Sequence, residues 1–255
     1  MDGFDIVPYN DINALEDALK RDDNVAGFLV EPIQGEAGIL VPDSAYLRQA
    51  KALCTARNVL FIADEIQTGL GRTGAWLGSC GVCDCQQNCE REDTYVHPDI
   101  LILGKALGGG AYPVSAVLAS NDVMDVLQPG AHGSTFGGNP LACKVAKAAL
   151  DVIHQEKLMI NARKQGQYFR DYMKKVQNKC SLIKEVRGRG LLNAIEINDT
   201  PTSKTAWNIC LKLKDKHLLA KPTHGNIIRL APPLVITSDE MTRACAIIED
   251  VLINF

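Results

Sequence analysis

Two short apolar runs each stop abruptly at charged residues. Residues 59–69, VLFIADEIQTG, end their apolar stretch at the adjacent carboxylates Asp64 and Glu65, and residues 100–110, ILILGKALGGG, end theirs at Lys105 among glycines and alanines. Apolar runs this short, bounded by turn residues, predict strands buried on both faces of a parallel sheet. Open α/β sheets gather their ligands beyond the carboxyl ends of such strands. An acid and a lysine at two strand ends can therefore converge on one ligand, one that needs both a carboxylate and an amine.

The flanking sequence supplies the helices such a sheet requires. Residues 13–20 have helical spacing, with Asp11 as cap, and residues 26–30 form a strand leading into Glu31-Pro32-Ile33-Gln34-Gly35-Glu36. Residues 43–57 are amphipathic and capped by Asp43 or Ser44, so residues 25–64 make one βαβ unit. A strand at 114–119, a short helix at 122–127 and a long helix from Pro140 to about Glu156, capped by Asn139, follow. From about Lys157 the pattern changes to a helix, a strand pair at 183–189 and 191–197, and a helix at 204–216. Short strands around 218–220 and 227–230 and a closing helix from Asp239 complete it. The expectation is an α/β domain over 1–156 and a smaller α+β domain over 157–255.

Composition excludes several classes of partner. A net charge of −3 gives no electrostatic case for nucleic acid or an acidic membrane. No apolar run reaches the roughly 18 residues of a membrane span. The start MDGFDIVPYND lacks the basic and apolar regions of a signal peptide, so the cytoplasm or the mitochondrial matrix is the expected compartment. Cys80, Cys83, Cys85 and Cys89 crowd into a polar, aperiodic stretch at 80–95 that reads as an insertion. Zinc sites usually set two Cys-x2-Cys pairs a dozen or more residues apart, so no metal is assigned; a thiolate metal site, redox disulfides and an inert loop all stay open. The other cysteines lie singly, which suits a reducing compartment.

The residues that could carry chemistry each have a plainer alternative. An apolar strand ending in Asp-Glu also describes the magnesium strand of P-loop NTPases. That class requires G-x-x-x-x-G-K-[ST], whereas Gly104-Lys105 is followed by Ala106 and preceded, five residues before Gly104, by Asp99. Asp64 could be a turn residue, and Glu31 and Glu36 solvated loop carboxylates. Lys105 at a buried strand end would lose charge readily and become nucleophilic; Lys221, on a loop after residues 218–220, is the runner-up. The loop from His132 to Pro140 offers hydroxyls and free amides to a phosphate, or ordinary turn chemistry. Arg229, within a strand, presents a fork suited to a carboxylate, or a structural ion pair.

Five motifs together carry a family resemblance: EPIQGEAG at 31–38, ADEIQTGLGRTG at 63–74, LGKALGGG at 103–110, HGSTFGGNP at 132–140 and KPTHGNIIRLAPPL at 221–234. In order, and over nearly the whole chain apart from the cysteine stretch, they resemble the class III pyridoxal-phosphate aminotransferases, most of all the members that act on ornithine. The resemblance implies PLP-dependent transferase fold type I, with a mostly parallel sheet in a large domain, a smaller C-terminal domain, and a homodimer. It implies that Lys105 binds pyridoxal 5'-phosphate covalently, that Asp64 holds the pyridinium nitrogen protonated, that Gln67 bonds the ring's 3-oxygen and that Ile66 packs on the ring face. Ser134 and Thr135 would reach the phosphate of the partner subunit's cofactor. Arg229 would take a substrate carboxylate, with Glu36 masking it when ornithine binds and Glu31 in support. The implied reaction moves the δ-amino group of ornithine to 2-oxoglutarate, giving glutamate semialdehyde and glutamate in ping-pong half-reactions; relatives acting on acetylornithine or 4-aminobutyrate are the alternative within the family. The resemblance covers only the C-terminal part of the family pattern. The phosphate loop, a ring-stacking aromatic and a further substrate arginine lie upstream of Met1 in that pattern, so a chain confined to these residues is expected to lack turnover alone or to act only through interactions.

Overall fold

The run that stops at Asp64 forms a central strand in the computed structural model, which describes residues 3–80 and 96–255. The chain divides into two units. One holds the chain to Pro32, Pro42–Gly69 and Leu77–Leu150; the other holds Ile33–Val41, Leu70–Trp76 and Asp151–Phe255.

In the first unit β1 (Gly27–Val30), β2 (Leu60–Asp64) and β3 (Ile100–Leu103) are parallel, and β4 (Ala116–Ala119) closes the edge antiparallel, in the order β1-β2-β3-β4. Helix α1 (Ile12–Arg21) starts where Asp11 accepts from the Ala14 amide at 2.9 Å. Helix α2 (Tyr46–Ala56) starts without the expected side-chain cap: Ala45 precedes it, and the Asp43 carboxylate instead accepts from Asn10. Helix α3 (Asn121–Met124) is a single turn. Helix α4 (Pro140–Gln155) is capped by Asn139, whose Oδ1 accepts from Ala142 at 2.9 Å.

Burial of this sheet differs from expectation. Leu15, Tyr46, Ala50 and Cys54 of the helices pack with Val30, Phe61 and Ala63 on one face. The register puts Leu29, Ile62 and Ile100 in one row and Asp64, Ile102 and Val117 in the next, on the opposite face. Leu29 and Val117 are more than half exposed there. A continuous apolar run predicts burial on both faces, but among the described residues only one face packs against helices.

The second unit is antiparallel. Helix α5 (Leu158–Gln177) precedes β5 (Ile183–Arg189) and β6 (Leu192–Ile197); α6 (Thr205–Asp215), β7 (Lys221–Thr223), β8 (Ile227–Leu230) and α7 (Ser238–Ile253) follow, with sheet order β5-β6-β8-β7. The two-residue period of β6 builds two cores at once. Ile195 and Ile197 pack with Met173, Ile209 and Cys245 of the helices, while Leu192 and Ala194 pack with Ile33, Ile39 and Ile227 on the other side. No strand forms at 218–220. His217 takes a left-handed φ of 62° and the Leu218 amide returns to Leu213, so pairing begins only at Lys221. Pro222 is tolerated because β7 is an edge strand. Thr237 and Glu240 form a reciprocal capping box for α7. No helix among the described residues is long and apolar enough to cross a membrane.

Gly190 turns β5 into β6 at φ +54°, and α5 crosses that turn so closely that a Cβ on Gly166 would overlap the Gly190 carbonyl oxygen. Helix propensity alone would make Gly166→Ala stabilising by about 1 kcal/mol. Overpacking against backbone costs about 1–3 kcal/mol or more, so the substitution should be net destabilising. The check is the urea midpoint, expected to fall; a midpoint at or above that of the parent protein would contradict the close approach.

Candidate active site

The ladder of β2 continues one residue past its end, where the Glu65 amide donates to Ile102 at 3.0 Å, and this holds Asp64 beside Ile102 of β3. Successive residues of extended backbone point to opposite sides. Glu65 turns inward and is 1% exposed. Its Oε1 accepts from the Ser79 amide at 2.7 Å, and its Oε2 from the Gly78 amide at 2.8 Å and from the Thr68 hydroxyl. Asp64 turns the other way, and its Oδ1 accepts from the Ile66 amide at 3.0 Å. At the end of β3, Gly104 is extended and buried. The Ile66 side chain lies over it, 3.4 Å from where a Cβ would stand.

Lys105 follows immediately. It is exposed, contrary to the buried strand end expected of it, because the buried strand stops at Leu103 and Lys105 opens a 3-10 turn, Lys105–Gly108. Its φ of 44° is left-handed, a conformation that costs a side-chain-bearing residue about 1–3 kcal/mol and that clusters at ligand sites. Asp64, Ile66, Gln67 and Lys105 thus occupy adjoining strand ends of one unit. Ser134 and Thr135 lie in the same unit on an exposed loop, where Ser134 Oγ accepts from the Gly137 amide at 3.1 Å.

Glu36 and Arg229 lie in the second unit and are joined. One transverse row of its sheet runs from Arg187 on β5 through Ala194 on β6 and Arg229 on β8 to Lys221 on β7. Residues 33–41 cross this row. Arg187 donates to the carbonyls of Gly38 and Ile39, at 2.8 to 3.2 Å. Arg229 Nη1 meets Glu36 Oε2 at 2.8 Å, Lys221 Nζ meets Oε1 at 3.0 Å, and the Thr223 hydroxyl holds the Glu36 carbonyl at 3.0 Å. The Lys221 hydrogen bond and the Arg229 charge hold the Glu36 carboxyl below the ordinary glutamate value of 4.5. Ile39, fully buried at φ 56°, is the strained point of the segment.

Arg187 and Ile39 escaped the sequence reading, and Lys221 stands in a strand rather than a loop. Only the strand register could have shown the places of Arg187 and Lys221, and Ile39 is marked by its backbone conformation rather than by its local sequence. Among the thiols of the cysteine stretch, Cys80 is buried, and Cys83, Cys85 and Cys89 lie outside the described residues.

An exposed amine one strand from a carboxylate is the equipment of an α/β enzyme that works through a carbonyl-bearing cofactor. Residues 6–252 match the family described as Aminotransferase class-III, and the chain belongs to that family, whose cofactor is pyridoxal phosphate and whose architecture is fold type I. It is 54% identical to the mitochondrial ornithine aminotransferase of Rattus norvegicus over 255 residues, which are 100% of this chain and 54% of that protein. An acetylornithine aminotransferase structure from Elizabethkingia anophelis matches with TM-score 0.90 and 60% identity, over 99% of this chain and 60% of that one. An ornithine aminotransferase structure from Toxoplasma gondii matches with TM-score 0.91 and 49% identity, over 100% and 56%. The chain spans about half the length of the curated relatives it matches. The residues present fit the cofactor: Lys105 is exposed, Asp64 ends the neighbouring strand, and Ile66 packs over Gly104, the residue before Lys105.

The depressed Glu36 pKa makes a pH prediction. Its ion pairs are fully present above the ordinary value of 4.5 and are lost as pH falls through the lower folded value. Carboxyl NMR should therefore place the Glu36 midpoint below 4.5; a midpoint at or above it would mean that the pairs do not form in solution.

Proposed function

We propose that these residues serve a pyridoxal-phosphate-dependent aminotransferase that moves the δ-amino group of ornithine to 2-oxoglutarate, in a homodimer. The observation that carries this reading is the Glu36–Arg229 ion pair at 2.8 Å. An arginine masked by an internal carboxylate can serve two substrates in turn. With the mask on, the site admits an amine end that brings no carboxylate; with it off, the same fork takes the carboxylate of a dicarboxylic partner. Names of relatives support ornithine as the first of these.

When bound, the cofactor supplies an electron sink for the substrate's breaking bond. Lys105 is its covalent anchor, held at the strand end by the turn that follows Gly104. Asp64 keeps a proton on the pyridine nitrogen, with its own orientation fixed through Oδ1 by the Ile66 amide. Ile66 bounds one face of the ring and Gln67 donates to the ring's 3-oxygen. Ser134 and Thr135 contact phosphate from their exposed loop. A second reading, with acetylornithine as amino donor, is favoured by the 60% identity to the Elizabethkingia anophelis structure.

Borohydride reduction with pyridoxal phosphate, followed by peptide mapping, should place the label on Lys105 and lose it in Lys105→Ala; label on Lys221 would overturn the assignment. In a chain that contains these residues and spans the full length of the curated relatives, formation of glutamate semialdehyde from ornithine in transamination to 2-oxoglutarate supports the first reading, and preference for acetylornithine replaces it with the second. Asp64→Ala should lower kcat by roughly two to three orders of magnitude, the cost of losing one preorganised charge. Near-normal turnover would reduce Asp64 to a turn residue.

A further inference from the structure

Glu36 is shared unequally between two cations. Lys221 Nζ reaches both of its carboxylate oxygens, at 3.0 and 3.3 Å, whereas Arg229 reaches only Oε2. Lys221 and Arg229 stand directly opposite each other on β7 and β8, so the carboxylate lies between two like charges that would otherwise repel across the strands. We propose that Lys221 is a positioning residue: it retains Glu36 when Arg229 exchanges that carboxylate for the carboxylate of a dicarboxylic substrate. The proposal rests on reading Arg229 as the substrate-carboxylate site.

The surroundings favour a side-chain movement over a loop movement. Gln34 exchanges backbone hydrogen bonds with Leu40, Thr223 holds the Glu36 carbonyl and Arg187 holds those of Gly38 and Ile39, so the backbone of the segment is fixed on both sides of the carboxylate. Exposure separates the two cations. The Arg229 side chain is 15% exposed, so it needs a counter-charge in every state, whereas Lys221 at 57% and Glu36 at 61% can rearrange through water. With Lys221 present, Glu36 leaves Arg229 without losing all ionic company. Without Lys221, Glu36 has Arg229 alone and competes harder with an incoming carboxylate. The removal of a cation therefore weakens the binding of an anion by strengthening the internal competitor, not by deleting a contact.

Glutarate, a dicarboxylate with no reacting group, is the probe, and its affinity for the purified chain is read by calorimetry. Lys221→Met should weaken glutarate about two- to fivefold, the size expected of an exposed ion pair, and Lys221→Arg should restore it. Glu36→Gln should tighten binding, and in that background Lys221→Met should have no further effect. The Glu36 titration midpoint should rise towards 4.5 in Lys221→Met, which a purely structural role would not produce. Unchanged affinity in Lys221→Met, with binding lost in Arg229→Gln, would overturn the role of Lys221 and leave Arg229 as the site. Equal weakening in the Glu36→Gln background would make Lys221 a direct ligand and overturn the positioning role. Binding indifferent to Arg229→Gln, or no binding at all, would overturn both.

Discussion

A carboxylate removed from water costs several kcal/mol unless donors meet it on all sides. Glu65 is met by two backbone amides and a hydroxyl, and the local chain path follows from that requirement. Its inward turn sends Asp64 outward, because neighbouring extended residues cannot share a face. Its amide keeps the β2–β3 ladder going one residue beyond the strand, which fixes Asp64 against Ile102, three residues before Lys105. Gly78 and Ser79 are brought back to the strand end by the same side chain. A residue with no proposed ligand contact thereby sets the position of those proposed to make one.

In the second unit the organising constraint is a row rather than a point. Antiparallel register lines up Arg187, Ala194, Arg229 and Lys221, and the smallness of Ala194 leaves space above the sheet for residues 33–41. Carbonyls of that segment meet the first cation and its carboxylate meets the last two. The strain at Ile39 is sustained by full burial and by the guanidinium that grips its carbonyl.

Much of this was legible in the residues. The strand ends at Asp64 and near Lys105, the Asp11 and Asn139 caps and most helix spans follow from local chemistry that the fold does not override. What was hidden depends on partners distant in sequence. Exposure of the second face of this sheet cannot be read from an apolar run, since the run is the same whether one face or both acquire helices. Lys105 is exposed because the chain turns at Lys105 itself, a feature of its φ rather than of hydropathy. Arg187 and Lys221 gain their significance from register alone, and a one-residue slip would have put either on the other face.

The pairing of Glu36 with Arg229 also has a temporal side. The two residues are 193 positions apart, and Arg187 is 149 from Gly38. During synthesis the early segment, with the two isoleucines Ile33 and Ile39 that end fully buried, emerges long before β6 and β8 exist to cover them. Contacts this remote lengthen the search for the native state, although the entropy of closing the loop rises only logarithmically with its length. Until β8 has been synthesised, the carboxylate clamp cannot form.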